Sequence, residues 1–253
     1  MINFFRKIRQ RLLTENKFSK YLVYAIGEIA LVMIGILLAL QVNNWNENRK
    51  LEVKSHNYIQ RLKVDLDNMS EDADNSVRGS ERRLKRALVA LKALEAKELL
   101  PEQQENFDHH LSGYFKFDIS IQNITVYNEM ISSGDLGLIK NEWLRTAFAD
   151  LSDRRDFIIE LNQANHNAYK NNTEIIEKYV KYNFLDSTKI KAIYDFDAMA
   201  NDDSFVNHIS NQVYVWHDIV RIHKVYQRRV NITKDSILIE LKKMKNDQVL
   251  QKN

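Results

Sequence analysis

The chain of 253 residues has no cysteine, one proline and six glycines. The missing cysteine excludes disulfides, thiol nucleophiles and thiolate-bound metals, and it suits either side of a membrane. The single proline, Pro101, follows Leu99-Leu100 and marks a helix stop and restart. Two of the six glycines, Gly27 and Gly35, lie inside one apolar run, so only four serve the rest of the chain. Strand signals are scarce too. The stretch 117–126, FDISIQNITV, is the only strand-like alternation. Local catalytic signatures are absent: there is no H-E-x-x-H, P-loop, dinucleotide fingerprint or G-x-S-x-G. A site assembled from distant positions leaves no such motif, so this lowers the expectation of catalysis without ending it. No enzyme activity and no cofactor are expected.

What the sequence does hold is a long hydrophobic run. Residues 21–42 read YLVYAIGEIALVMIGILLALQV, with Glu28 the single charge. A bilayer core of about 30 Å needs roughly 20 apolar residues as helix, so the run predicts a transmembrane helix. It is longer than the roughly 7–15 apolar residues of a cleaved signal peptide, and no A-x-A-like site follows. An uncleaved signal anchor fits better. The run divides the chain into a tail at 1–20, a span at 21–42 and an extracytoplasmic helical domain at 43–253.

Charge is unevenly divided among these parts. The tail carries Arg6, Lys7, Arg9, Arg11, Lys17 and Lys20 against Glu15, while residues 43–253 hold 31 basic and 32 acidic residues. The near-neutral domain lacks the basic stripe of a nucleic-acid surface, so no nucleic-acid partner is expected. The basic flank places the N-terminus in the cytoplasm by the positive-inside rule. Tyr21, Tyr24 and Trp45 suit the two interfaces. Met1, Phe5, Ile8 and Leu12 share a helical face opposite Arg6, Lys7, Arg9 and Arg11, an arrangement suited to an anionic inner leaflet. A plain topology signal explains the same residues.

Beyond the span, helical periodicity dominates. Leu51, Tyr58, Leu62, Leu66 and Met69 form one stripe, and Leu84, Leu88, Leu91 and Leu94 a second. Gly79 either bends the chain between them or sits within one helix. Short helices are expected over 102–116 and 124–132, followed by a turn at Ser132-Ser133-Gly134 and a link with Gly137. Asn141 is positioned to cap a helix running to about 182, with Leu144, Phe148, Leu151, Ile158, Leu161, Ile175 and Tyr179 inward. A loop is expected over 186–197. The last helix, about 203–246, carries Phe205, Ile209, Val213, Trp216, Val220, Tyr226, Val230, Ile237, Leu241 and Met244 as its apolar stripe. The fold class is all-α: an N-terminal transmembrane helix followed by a bundle of four to five helices, some long.

The stretch FFRKIRQRLL…ENKFSKYLVYAIGEIALVMIGILLALQVNNWNENRK resembles an uncharacterised family of single-span inner-membrane proteins common in Bacteroidetes. KFSKYL, GEI, IGI and LQVNNWNE carry most of the resemblance, with SSGDLGLIKNEWLR downstream. The resemblance implies a bacterial envelope protein whose C-terminal domain is periplasmic. It supplies no catalytic residues.

Glu28 is the sharpest candidate for function. An acid near mid-membrane costs about 2.5–3.5 kcal/mol on insertion scales and usually faces a partner helix or water. Ala25, Glu28, Val32, Gly35 and Ala39 step by three and four, the seam of packed helices. Gly35-x-x-x-Ala39 is a small-xxx-small pair that permits close approach. Such a seam implies a homo-oligomer or a partner membrane protein. Glu28 snorkelling toward headgroups, or serving an ion or proton path, are the other readings.

The histidines show no metal spacing. His217 and His223 are six apart, and His109-His110 point to different faces. In DFDAMANDDS at 195–204 the calcium-loop order is missing, and Asp202-Asp203-Ser204 reads as helix capping. His217-Asp218, Arg221, Tyr226, Arg228 and Arg229 crowd the last helix, either as a ligand site between helices or as a solvated face. The expected function is a non-enzymatic envelope protein acting by helix association. An oligomeric channel or proton-coupled component using Glu28 is the alternative, and a ligand sensor working through a partner is a second.

Overall fold

The computed structural model describes residues 18–114, 121, 123–183 and 191–250. Helix α1 runs from Phe18 to Ala96, α2 from Pro101 to Ser112 and α3 from Thr125 to Ser133. A 3-10 turn at Asp135–Leu138 leads to α4, Glu142–Asn171, and α5, Thr173–Glu177. Strands β1, Val180–Asn183, and β2, Lys191–Tyr194, precede α6, Phe196–Ala200, and α7, Asp203–Leu250. Among the described residues the fold is all-α apart from this hairpin. The chain divides into two units, Met1–Ser55 and His56–Asn253, and α1 contributes to both.

Gly79 lies inside α1, so the two stripes belong to one helix. Its flanking sequence is rich in good helix formers, which outweighs the roughly 1 kcal/mol cost of an interior glycine. The helix ends in a Schellman closure. Lys97 turns left-handed at φ 53°, its N–H donates to Leu94 O at 3.1 Å, and the Glu98 N–H donates to Ala93 O at 3.1 Å. Pro101 then opens α2, and the Gln103 side chain accepts from the Leu100 N–H at 3.1 Å.

In the unit His56–Asn253, α7 runs antiparallel to α1. Lys234, Asn231, Gln227, Lys224 and Trp216 on α7 meet Asp67, Ser70, Asp74, Glu81 and Arg83 on α1, so numbers fall on one helix as they rise on the other. Asn141 to Glu240 and Arg229 to Asp150 set α4 antiparallel to α7 as well. Two apolar clusters form the core. One holds Leu62, Leu66, Met69, Leu144, Phe148 and Val230, and the other Ala87, Ala90, Phe107, Phe205, Ile209 and Trp216.

Four expectations need correction. The second stripe is buried through Ala87, Ala90, Ala93 and Leu94, while Leu88 is 38% exposed. Alanines share this cluster with Trp216 and Ile219, so the bulk comes from α7 and the small side chains from α1. Leu51 is exposed and lies in the other unit. The helix expected to reach 182 ends at Asn171. There the Asn172 side chain donates to Ala168 O at 2.9 Å, a local bond that competes with helix propagation.

The expected loop at 186–197 instead contains β2 and the start of α6. β1 and β2 pair antiparallel with Val180 opposite Tyr194 and Tyr182 opposite Ala192. Tyr194 packs its ring 5.3 Å from Phe107, and its hydroxyl donates to Asp108 at 2.5 Å, which fastens the hairpin to α2. Of the strand-like stretch 117–126, residues 125 and 126 are helical in α3, and most of the rest lies outside the described residues.

Candidate functional site

The residues expected to form the membrane seam lie on α1 within the first unit. Ala25 and Glu28 are half-buried, and Val32, Gly35 and Ala39 are exposed. Among the described residues α1 is the one helix long and apolar enough to cross a membrane; its apolar window has mean hydropathy 2.3 and none of it is buried within the chain. The tail residues Arg6, Lys7, Arg9 and Arg11 lie outside the described residues.

The SSGDLGLIKNEWLR stretch forms a joint. Gly134 ends α3 at φ 73°, a left-handed conformation that costs other residues about 1 kcal/mol or more. This turn places Asp135 where it accepts from Tyr58 at 2.9 Å and from Ser133 at 2.6 Å. Asn141 caps α4 by accepting from the Leu144 N–H at 3.2 Å, as its position predicts, and donates to Glu240 at 3.1 Å. Arg145 donates to Ile139 O at 2.5 Å. Arg61 grips Glu129 through both guanidinium nitrogens, and Asp65 accepts from the Val126 N–H at 2.8 Å. A Cβ at Gly134 meets nothing within 4 Å, so the cost of Gly134→Ala comes from the backbone alone. Gly134→Ala is expected to lower unfolding stability by about 1 kcal/mol. Urea titration checks this, and an unchanged midpoint would remove the turn's role.

One group of polar and aromatic side chains joins α2, α4, β1 and α7. His110 is 7% exposed and Gln212 2% exposed. His110 Nε2 and Gln212 Oε1 find no hydrogen-bond partner among the described residues. Burial pushes the His110 imidazole down to about 4. Gln212 beside the ring favours the charged form and offsets burial only in part, while His208 and Arg86 oppose it. The Tyr114 hydroxyl and His208 Nε2 share a hydrogen bond at 2.6 Å, and the two rings lie 5.7 Å apart. Tyr169 stands edge-on to both rings, and the Tyr182 hydroxyl donates to Leu111 O at 3.0 Å. Burial holds His208 below its usual range and raises Tyr114, with Tyr169 and Tyr182 at about 12.

These shifts keep both members of the Tyr114–His208 pair neutral. That suits tying α2 to α7 and does not suit proton transfer near neutral pH. The sequence holds one weak signal for the group: His110, Tyr114, His208 and Gln212 each fall at helical spacing from buried apolar neighbours such as Phe107, Leu111, Phe205 and Ile209.

The other candidates separate. His109 is exposed beside Glu105, whereas His110 is buried. His217 is exposed and His223 buried. His223 Nδ1 donates to Ser76 O at 3.2 Å, and burial lowers its pKa. Arg221 pairs with Asp218 on the surface while Tyr226 is buried, so the crowded segment of α7 is not one site. Asp202 accepts from the Ser204 N–H at 2.8 Å as a cap, and also from Tyr179 at 2.6 Å and Lys178 at 2.9 Å. Asp195 caps α6 through the Ala198 N–H at 3.1 Å. Among the described residues no three His, Asp or Glu side chains come together as metal ligands.

Fold and site define an all-α protein with one long apolar helix and a helical unit whose core holds the His110 group. It belongs to the Family of unknown function (DUF6090), whose model matches residues 28–215. The match begins at Glu28, inside the apolar run, and takes in the joint and the His110 group. No curated protein and no solved structure matches the chain.

Proposed function

We propose that this protein is a single-span component of a bacterial inner membrane that works by helix association, without catalysis. Its tail at 1–20 lies in the cytoplasm on the anionic inner leaflet, its span covers 21–42 and its domain at 43–253 is periplasmic. The observation that carries this reading is the exposure of α1. Leu31 is 67% exposed, Ile34 56% and Leu37 59%, an apolar surface that the described residues leave open and that suits lipid or another helix. The seam Ala25, Glu28, Val32, Gly35 and Ala39 gives association a face with small residues for close approach. A second copy is the simplest partner.

Gly35→Leu tests the association. A Cβ at Gly35 meets nothing within 4 Å, so the larger side chain leaves the chain's own packing intact. Self-association in lipid bilayers, read by energy transfer between labelled copies, is expected to weaken about tenfold, which is about 1.4 kcal/mol. Equal association of both proteins would end the seam reading. Glu28→Gln keeps hydrogen bonding and removes ionisation, so a proton-coupled role predicts loss of function where association predicts none.

The topology has its own check. The chain has no cysteine, so Glu160→Cys on exposed α4 gives one labelling site. A membrane-impermeant maleimide is expected to modify it in intact spheroplasts. Labelling only after lysis would reverse the orientation.

A further inference from the structure

Tyr226 presents a problem that its own contacts leave unsolved. The side chain is 4% exposed, and its hydroxyl has no hydrogen-bond partner among the described residues. A buried hydroxyl without a partner loses its hydration with no return, so nearly all such groups are satisfied by protein or by ordered water. Beside Tyr226 lies a small cavity lined by Met69, Asp72, Ala73, Ser76 and Ile121. Its interior of about 10 Å³ accommodates the centre of one water molecule and nothing larger.

The lining is chemically divided. Met69, Ala73 and Ile121 supply apolar walls, and Asp72, Ser76 and Tyr226 supply polar groups from two helices. A buried water needs two to four such partners. The carboxylate of Asp72 only accepts, and the tyrosine hydroxyl donates and accepts, so a water between them can satisfy both.

We propose that this cavity binds a single structural water that bridges the Tyr226 hydroxyl on α7 to the Asp72 carboxylate on α1. The water would add to the polar α1–α7 contacts nearby, the Asp74–Gln227 bond at 2.6 Å and the His223–Ser76 bond at 3.2 Å. Burial pushes the Tyr226 hydroxyl up to about 12, and Arg155 opposes that rise while Asp72 and Asp156 add to it, so it stays protonated near neutral pH.

Tyr226→Phe separates a bridged hydroxyl from a bare one, because the two predict opposite signs. Removing a bridged hydroxyl loses a hydrogen bond, and the full chain in lipid nanodiscs is expected to unfold about 2–4 °C lower. Removing a bare one relieves a desolvation cost, so an unchanged or higher midpoint overturns the proposal. The second readout is direct. In water-edited solid-state NMR of tyrosine-labelled protein, the signal absent from Tyr226→Phe is expected to gain water magnetisation about as fast as Tyr214, which is 74% exposed. A ring that polarises only at the slow rate of the dry core overturns the proposal whatever the midpoint shows.

Discussion

Acidification from pH 7 to pH 4 is expected to remove about 3 kcal/mol of stability from the unit His56–Asn253 through His110 alone. The imidazole titrates near 4 when folded and near 6.5 when unfolded. Below pH 6.5 the unfolded chain therefore binds a proton that the folded chain refuses, and stability falls with pH until the folded group also titrates. Among the groups facing the ring, Gln212 from α7 favours the charged form only in part, while His208 from α7 and the cationic Arg86 from α1 oppose it. His208 and His223 are depressed in the same direction and add to the loss. Carboxylates act lower down. Asp67, held below the usual range by Lys63 and Lys234, yields its contribution only as pH falls below about 4. Against a typical total of 5–15 kcal/mol, the histidine loss is large. Urea unfolding at half-unit steps of pH checks it. His110→Leu, which cannot ionise, is expected to flatten the slope between pH 6.5 and 4. A wild-type slope of zero in that window, or an unaltered slope in the variant, would sink the account.

Long elements were legible because their signal repeats. The stripe of α7 appears in the sequence as ten apolar residues, of which Phe205, Ile209, Trp216, Val220, Tyr226, Val230 and Ile237 are buried. Asn141 announces its cap because its side chain needs no tertiary partner. The hairpin was hidden because four residues per strand show too little alternation to outweigh the helical pattern around them. The alanine face of α1 was hidden for another reason. Leucine is the more apolar residue, but Trp216 and Ile219 share the cluster with Ala87 and Ala90, so which face turns inward depends on bulk supplied over 120 residues away. Tyr114 and Gln212 carry no motif in the sequence, because what gathers them around His110 is packing between segments distant along the chain. Tyr226 was placed in the stripe, and nothing in its spacing tells that its hydroxyl ends in a cavity with Asp72.

Arginine at both Leu31 and Ile34 is expected to keep the chain out of the membrane. The two positions lie one turn apart near the centre of the proposed span, and their side chains are 67% and 56% exposed. The substitutions therefore break no packing within the chain, and their effect falls on insertion alone. Each arginine costs about 2.5–3.5 kcal/mol at a helix centre, so the pair costs about 5–7 kcal/mol. Glu28 already imposes one such cost on the same segment, which leaves little surplus to absorb two more. The wild-type chain is expected in the carbonate-resistant membrane pellet and the double variant in the supernatant or degraded. Arginine at both Ile232 and Ile239 provides the control. These side chains are 43% and 55% exposed on α7, comparably apolar and comparably open, yet lie outside the proposed span. That control stays in the pellet if insertion depends on the run at 21–42 and not on surface hydrophobicity in general. A Leu31, Ile34 double variant that still resists carbonate extraction would end the spanning reading, and with it the argument that Glu28, Gly35 and Ala39 meet another helix inside a bilayer.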